Sequence, residues 1–403
     1  MWDDLPENVI PANIIEMPDP LKDAEEEAER IKADRHYYLR SGIERIILDA
    51  PWVDEKELIL EVGKYYKEAI SCTPSFAKYP EATKWVDYVI RKDRELMNLA
   101  DLTEQEIAVL RSTHDYLTFR GYRDFGIKRK KISEEKCRIA FLPETDMGPM
   151  HIKNVDDPIT YWKPLPALPA RARISEAWWY HKKFVIDGVG SGLHIDDEPD
   201  DIFPLPVLKM VEMYADNTDS VVDFLRKYSS FWGSCNVLIY DRKYKVIAIE
   251  KCSRNYFEVF PVDKSAGFGH VSGMVCRNPD SPQAKYQKEK RNQYLNLFNL
   301  PEDGPDALFW NICYKFEIML RETLRNLGRN PRAEDVIKLF TTKFPDGLRK
   351  DGLKIHPDQG AIGYTLITNC TFLEKKLYYR WQRTGEKDGG IWQEKPEICQ
   401  YEV

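Results

Sequence analysis

The stretch that decides the fold runs Cys137-Arg138-Ile139-Ala140-Phe141-Leu142, turns through Pro143-Glu144-Thr145-Asp146-Met147-Gly148-Pro149, and returns as Met150-His151-Ile152-Lys153-Asn154-Val155. Two β-prone runs around a turn rich in Pro, Gly and Asp read as an antiparallel hairpin. With the turn centred on Asp146–Met147, Cys137 falls opposite Asp156, and Lys153 and Asn154 lie beside that pair. Directly opposed residues in such a ladder are about 4.5–5.5 Å apart at Cα. One local hairpin therefore gathers a thiol, a carboxylate, an ammonium and an amide.

Those residue types suit nucleophilic catalysis. A free thiol has a pKa of about 8.5 and is only a few per cent ionised at neutral pH. If Cys137 were the first residue of its chain, its own α-amino group, with a pKa of about 7.7–8.0, could act as the base. Cleavage of the Lys136–Cys137 bond would expose that amine. Asp156 would hold the amine, and the charge on Lys153 would favour the thiolate.

On the N-terminal side of the hairpin the chain reads as helical. Residues Ala24–Ala33 form a charged helical stretch, Asp54–Ile70 carries apolar residues at helical spacing, and Thr103–Thr113 opens with a Thr103-x-x-Glu106 capping box. Residues 119–136 have no clear period and read as a linker. On the C-terminal side, Asn236–Tyr240 and Lys245–Glu250 form a second hairpin, Asn255–Val262 a further strand, and Tyr364–Phe372 with Lys376–Gln382 a closing pair. Helices are expected at Pro206–Tyr214, Ser220–Tyr228 (capped by Thr218 or Asp219), Asp306–Leu327 (ended by Gly328) and Ala333–Phe344. Hairpins alternating with helices give an α+β class of antiparallel sheets, not a parallel βαβ fold. The division expected is a helical prosegment or alpha chain over 1–136 and a catalytic region, the beta chain, over 137–403.

Composition narrows the function classes. The chain has 403 residues, 43% of them hydrophobic, and a formal net charge of −7. It can bury a sizeable core, and no nucleic-acid partner is expected. No apolar run reaches the roughly 18 residues of a membrane span, and the acidic start Met1-Trp2-Asp3-Asp4 does not resemble a signal peptide, so a cytoplasmic protein without a membrane partner is expected. The eight cysteines include no C-x-x-C pair and no zinc spacing, so neither metal nor cofactor is expected and most thiols read as small core residues.

The spacing Cys137-x15-Lys153-Asn154-Val155-Asp156 resembles the start of the choloylglycine hydrolase and penicillin V acylase family, where the nucleophile is followed by Arg-Asn-Leu-Asp. Later segments are similar to the acyl-coenzyme A:isopenicillin N acyltransferase branch. These are Gly192-Leu193-His194-Ile195, the helical stretch 203–228, the hairpin from Gly233-Ser234-Cys235-Asn236 through Ala248-Ile249-Glu250, the run Val275-Cys276-Arg277-Asn278-Pro279, Arg291 and the closing hairpin. The likeness covers roughly 137–385, in order.

This resemblance implies an N-terminal-nucleophile (Ntn) hydrolase with a four-layer αββα sandwich. It implies autoproteolysis between Lys136 and Cys137, with Cys137, Asp156, Lys153 and the oxyanion donor Asn278 as the catalytic set. Asn154, His194, Arg291 and Arg277 are the substrate-binding candidates, Arg277 being also the oxyanion alternative one residue earlier. The implied activity is that of a self-processing cysteine amidohydrolase or acyltransferase on a linear, non-peptide amide. Its substrate would be a small-molecule amide or an acyl-CoA-type donor, and a homo-oligomer is compatible with it. Lys136 stands where the family usually has glycine, and Lys153 where it has arginine. An unprocessed, catalytically silent ligand-binding chain therefore stays open. So does an unprocessed Cys–His thiol hydrolase using His151 or His270.

Overall fold

The computed structural model describes residues 19–71, 78–116, 120–126, 138–156, 171–172, 184–190, 210–211, 214–229, 235–241, 245–253, 256–261, 269–272, 322–341, 365–384, 391–393 and 395–401, with a few single positions between 280 and 296. The N-terminal part is helical: α1 (Pro20–Ala33), α2 (Arg35–Leu39), α3 (Ser41–Asp49), α4 (Glu55–Ser71), α5 (Pro80–Ala100), α6 (Glu104–Tyr116) and α7 (Tyr122–Phe125). Local chemistry sets several ends. The Asp19 side chain accepts from the Leu21 amide ahead of α1, and Pro20 occupies its first position. The expected capping box forms before α6: the Glu106 amide donates to Thr103 Oγ1 at 3.2 Å, and the Thr103 amide to Glu106 Oε2 at 2.9 Å. The expected linker over 119–136 contains α7, whose Phe125 packs against the cluster of Ile43, Val62 and Tyr65.

A part-buried charge cluster centred on the buried Asp93 ties these helices together. Arg111 on α6 donates to both carboxylate oxygens of Glu27 on α1 (2.7 and 3.0 Å) and, through two nitrogens, to Asp93 Oδ1 on α5 (2.9 and 2.7 Å). Lys92 reaches Glu27 at 2.8 Å, and the Tyr66 hydroxyl donates to Asp93 Oδ2 at 2.8 Å. Burial alone would raise the Glu27 carboxyl, but Arg111 and then Lys92 outweigh it and hold it down to about 2.

Two antiparallel sheets make up the rest of the described chain, which is therefore α+β. The larger contains β1 (Arg138–Leu142), β2 (Met150–Asp156), β3 (Arg171–Ala172), β8 (Gly269–Ser272), β9 (Thr365–Phe372), β10 (Leu377–Thr384), β11 (Ile391–Trp392) and β12 (Glu397–Tyr401). Its order is β3-β12-β10-β9-β2-β1-β8, with β11 on β10 and one parallel pairing, β12 with β3. The smaller sheet is β4 (Phe184–Gly190), β5 (Cys235–Asp241), β6 (Val246–Ser253) and β7 (Tyr256–Pro261), in that order.

The first hairpin forms with a register one residue different from the expected one. Arg138 pairs with Asn154 and Leu142 with Met150, so the ladder centres on Asp146 itself. The expected register would have set Arg138 against Val155 instead of Asn154. The cause lies in the turn: Thr145 Oγ1 accepts from the Met147 amide and donates to the Gly148 carbonyl, and Gly148 takes a φ of 87°. That left-handed conformation favours glycine. Asp156 lies beyond an irregularity in the β2–β9 ladder, where its backbone pairs with Thr365.

Strand alternation divides the packing. On one face of the larger sheet, Ala140, Leu142, Ile152, Cys370 and Phe372 pack against Leu324 and against Val336 and Phe340 of α9 (Ala333–Thr341). On the other, Ile139 and Phe141 meet Val185, Leu238, Tyr240 and Ala248 of the smaller sheet. The far side of the smaller sheet, with Phe184, Val237, Ile239 and Ile249, is covered by α8 (Thr218–Lys227) and by Trp85, Val86 and Tyr88 of α5. The N-terminal helices thus share a core with the sheets. Asn217, not Thr218 or Asp219, caps α8, accepting from the Asp219 and Ser220 amides. Gly328 ends the preceding helix with a φ of 84°, as expected. The turn of the first hairpin also caps α9: Asp146 Oδ1 accepts from the Ala333 amide at 2.7 Å.

Candidate functional site

On β2, successive side chains point to opposite faces. His151 and Lys153 face the smaller sheet, and there they meet Asp187 of β4. Lys153 Nζ donates to Asp187 Oδ1 at 2.6 Å, and His151 Nε2 lies 3.2 Å from Asp187 Oδ2. The other ring nitrogen of His151, Nδ1, is 2.9 Å from the Tyr240 hydroxyl. Tyr240 is itself fixed by stacking on Phe141, with centroids 3.8 Å apart and planes 4° from parallel. His151 and Tyr240 are buried, while the side chains of Lys153 and Asp187 are each 22% exposed.

The electrostatics follow from this placement. Burial by itself would raise the Asp187 carboxyl. The Lys153 charge, with the hydrogen bond and charge of His151, reverses that and holds it below its ordinary value. Asp187 is therefore an anion at neutral pH. The ionised carboxylate accepts only, so His151 Nε2 carries a proton toward it. Next to this chain, Asn369 stands opposite Lys153 and Thr371 opposite His151 on β9. Asn369 Oδ1 and Thr371 Oγ1 are buried without a hydrogen-bond partner among the described residues. Asn236 and Glu250, cross-strand partners on β5 and β6, are buried too. Alternation puts them on the face that carries Leu238, Tyr240 and Ala248. The layer between the sheets is thus apolar around Phe141, Tyr240 and Val246 and polar around Lys153, Asp187 and Asn236.

Of the residues singled out from sequence, Lys153 lies in this polar region. Asn154 is directed the other way. It is 1% exposed on the helix-covered face, donating to the Phe340 carbonyl at 3.2 Å and accepting from Thr368 Oγ1 at 3.0 Å. Its carboxamide thus joins β2 to β9 and α9. Asp156 is described only through its backbone pairing with Thr365. Lys136, Cys137, His194, Arg277, Asn278 and Arg291 lie outside the described residues, and His270 is described only through its backbone pairing with Ala140.

Asp187 escaped the sequence reading. The available signal was an acidic residue in an otherwise apolar run, Phe184-Val185-Ile186-Asp187-Gly188-Val189, where a strand carboxylate needs a buried partner. Among the described residues, no group of three His, Cys, Asp or Glu side chains could hold a metal ion, and no helix is long and apolar enough to cross a membrane.

No family model matches the chain, and no curated protein matches it. Solved structures similar to it include two variants of conjugated bile acid hydrolase from Clostridium perfringens, which are 14% and 15% identical to this chain. Each match covers 67% of this chain and 89% of that one, with a TM-score of 0.26.

Proposed function

We propose that this chain is a self-processing cysteine amidohydrolase or acyltransferase of the Ntn type, with a four-layer αββα sandwich and Cys137 as its nucleophile. One observation carries the reading: Lys153, at the family-like spacing after Cys137, enters a hydrogen-bonded chain of Asp187, His151 and Tyr240 at the polar end of the layer between the sheets. Residue 137 comes immediately before β1, whose odd-numbered residues Ile139 and Phe141 face that same layer. We take Cys137 to continue that alternation into the same layer.

The chemistry proceeds through an acyl-enzyme. The α-amine of Cys137, freed by cleavage after Lys136, takes the thiol proton, and the sulfur attacks the amide carbonyl. Asn278, or Arg277 beside it, donates to the oxyanion, a contact of the type worth about 3–4 kcal/mol. The tetrahedral intermediate collapses as the ammonium returns its proton to the leaving amine. Water, or a second amine in acyl transfer, then releases the acyl group. Asp156 orients the α-amine, and His194 and Arg291 bind the substrate. Asn154 supports the strand from its far side. The Asp187 carboxylate 2.6 Å away offsets the Lys153 charge, so Lys153 positions the site more than it lowers the thiol pKa.

A Cys–His mechanism through His151 is less well supported, because both of its ring nitrogens are engaged, one by Asp187 and one by Tyr240.

Intact mass spectrometry of the purified chain tests the proposal. The expected result is two polypeptides split between residues 136 and 137, with Cys137→Ala remaining whole and failing to turn over a panel of N-acyl amides. The helices of the first fragment share a core with the smaller sheet, so the two pieces should co-elute on gel filtration. A chain that stays uncut and hydrolyses those amides at full rate would overturn the mechanism.

A further inference from the structure

A cavity of about 620 Å³ opens among α4, α5 and α6, away from the sheets. That volume lies within the roughly 300–1,000 Å³ of small-molecule sites. Its wall is largely hydrocarbon, from Leu60, Ile70, Ile90, Met97 and Ile107. Leu60 at its lip is 50% exposed, one of five large apolar side chains so exposed among the described residues. Tyr66 and Asp93 also line it, but Tyr66 donates to Asp93, and Asp93 accepts from Arg111 as well. These polar groups are satisfied internally, so the cavity matches an apolar body.

Gly63 adds an independent observation. It lies in the interior of α4 and lines the cavity, and a Cβ built on it meets nothing within 4 Å. Glycine in a helix interior is destabilising relative to alanine, and no protein neighbour requires it here. What its missing side chain preserves is open space on the cavity wall.

Charge at the mouth identifies the other end of the ligand. Lys64 pairs with Glu61, and Lys67 with Glu104 at 3.3 Å. Arg94 lines the cavity, is exposed, and has no acidic partner among the described residues. We propose that this cavity binds an amphipathic monoanion, a carboxylate on a hydrocarbon body, with the hydrocarbon against Gly63 and the carboxylate on Arg94. Guanidinium and carboxylate form paired, charge-assisted hydrogen bonds. The site is separate from the chemistry proposed for Cys137 and does not depend on it.

Fluorescence titration of the full chain with a dansyl-labelled undecanoic acid, and with the corresponding primary amide, tests this. Saturable binding of the acid is expected, with the amide at least about tenfold weaker. Gly63→Leu should project a branched side chain from the cavity wall and weaken both probes at least tenfold, while melting at or above the wild-type temperature because helix propensity improves. Arg94→Glu changes only an exposed side chain and should weaken the acid tenfold while leaving the amide unchanged. If Gly63→Leu proves unstable, Arg94→Glu alone decides. No saturable binding, equal affinity for acid and amide, or an acid affinity that survives Arg94→Glu would overturn the proposal. Binding of the acid elsewhere on the chain, which would survive both substitutions, is thereby excluded or exposed.

Discussion

One charge cluster lies among the N-terminal helices and another between the sheets, and they are built differently. In the helices, Arg111 is held by two carboxylates, each taking two of its hydrogen bonds, with Lys92 and Tyr66 completing the set. Between the sheets, Asp187 holds one lysine and one histidine through single contacts, and Asn369 and Thr371 nearby have buried oxygens without partners among the described residues. The first cluster consists of planar, geometrically matched groups with their capacity used, as suits a purely structural joint. The second consists of titratable groups, two of them partly exposed, with buried acceptors left over beside them, as suits a functional site. A saturated network fixes helices; an unsaturated one leaves chemistry to be done.

The contrast can be broken by substitution. Arg111→Met should have the largest effect. Among the described residues it removes the one cation on Asp93 and leaves that buried carboxylate without its charge partner, which should cost about 3–5 kcal/mol in urea unfolding. Acidification tests the same cluster without a mutation. Glu27 is held at about 2 against an ordinary 4.5, so its contribution is present above pH 4.5 and is lost as pH falls through 2. A depression of that size corresponds to about 3 kcal/mol, readable as a fall in stability over that window that Glu27→Gln abolishes. Asp187→Asn should cost less, about 2 kcal/mol, because the carboxamide keeps the shape and one acceptor oxygen and leaves no carboxylate without a cation. Asp187 is also depressed, so that variant should be hurt less than wild type below the ordinary aspartate range. Tyr240→Phe should cost least, about 1 kcal/mol by thermal melt. It keeps the stack on Phe141 and removes only the hydroxyl at His151. If Asp187→Asn proved as damaging as Arg111→Met, the two clusters would not differ in kind.

Local patterns in the sequence were enough to anticipate local structure. The β1–β2 hairpin, the β5–β6 hairpin and the closing β9–β10 pair lie within a few residues of their expected positions, because alternating apolar residues and turn chemistry act over short distances. The Thr103–Glu106 box is likewise a four-residue event. The register of the first hairpin depended on a finer detail, a left-handed Gly148 braced by Thr145, and the symmetric guess missed it by one residue. The 21-residue helix α5 was not anticipated, although Pro80 marks its start. Its apolar face is split between α1 and the smaller sheet, which blurs a single stripe. Lys153 was singled out through its spacing from Cys137, and it lies in the polar region beside Asp187. Asp187 was not, since its partners are 34 and 36 residues away in sequence and meet it only when the sheets face each other.

The contact between Asp146 and the amide of Ala333 joins two parts of the chain 187 residues apart. Most helix caps are neighbours of the helix they cap and can form with its first turn. Helix α9 takes this one from a distant hairpin, so its amide stays unsatisfied until the larger sheet has closed around it. Loop closure over that separation is slow compared with helix nucleation. The order of synthesis favours the arrangement, since the hairpin leaves the ribosome long before α9 does. A chain permuted to begin between the two would reverse that order and make the last helix wait for its cap.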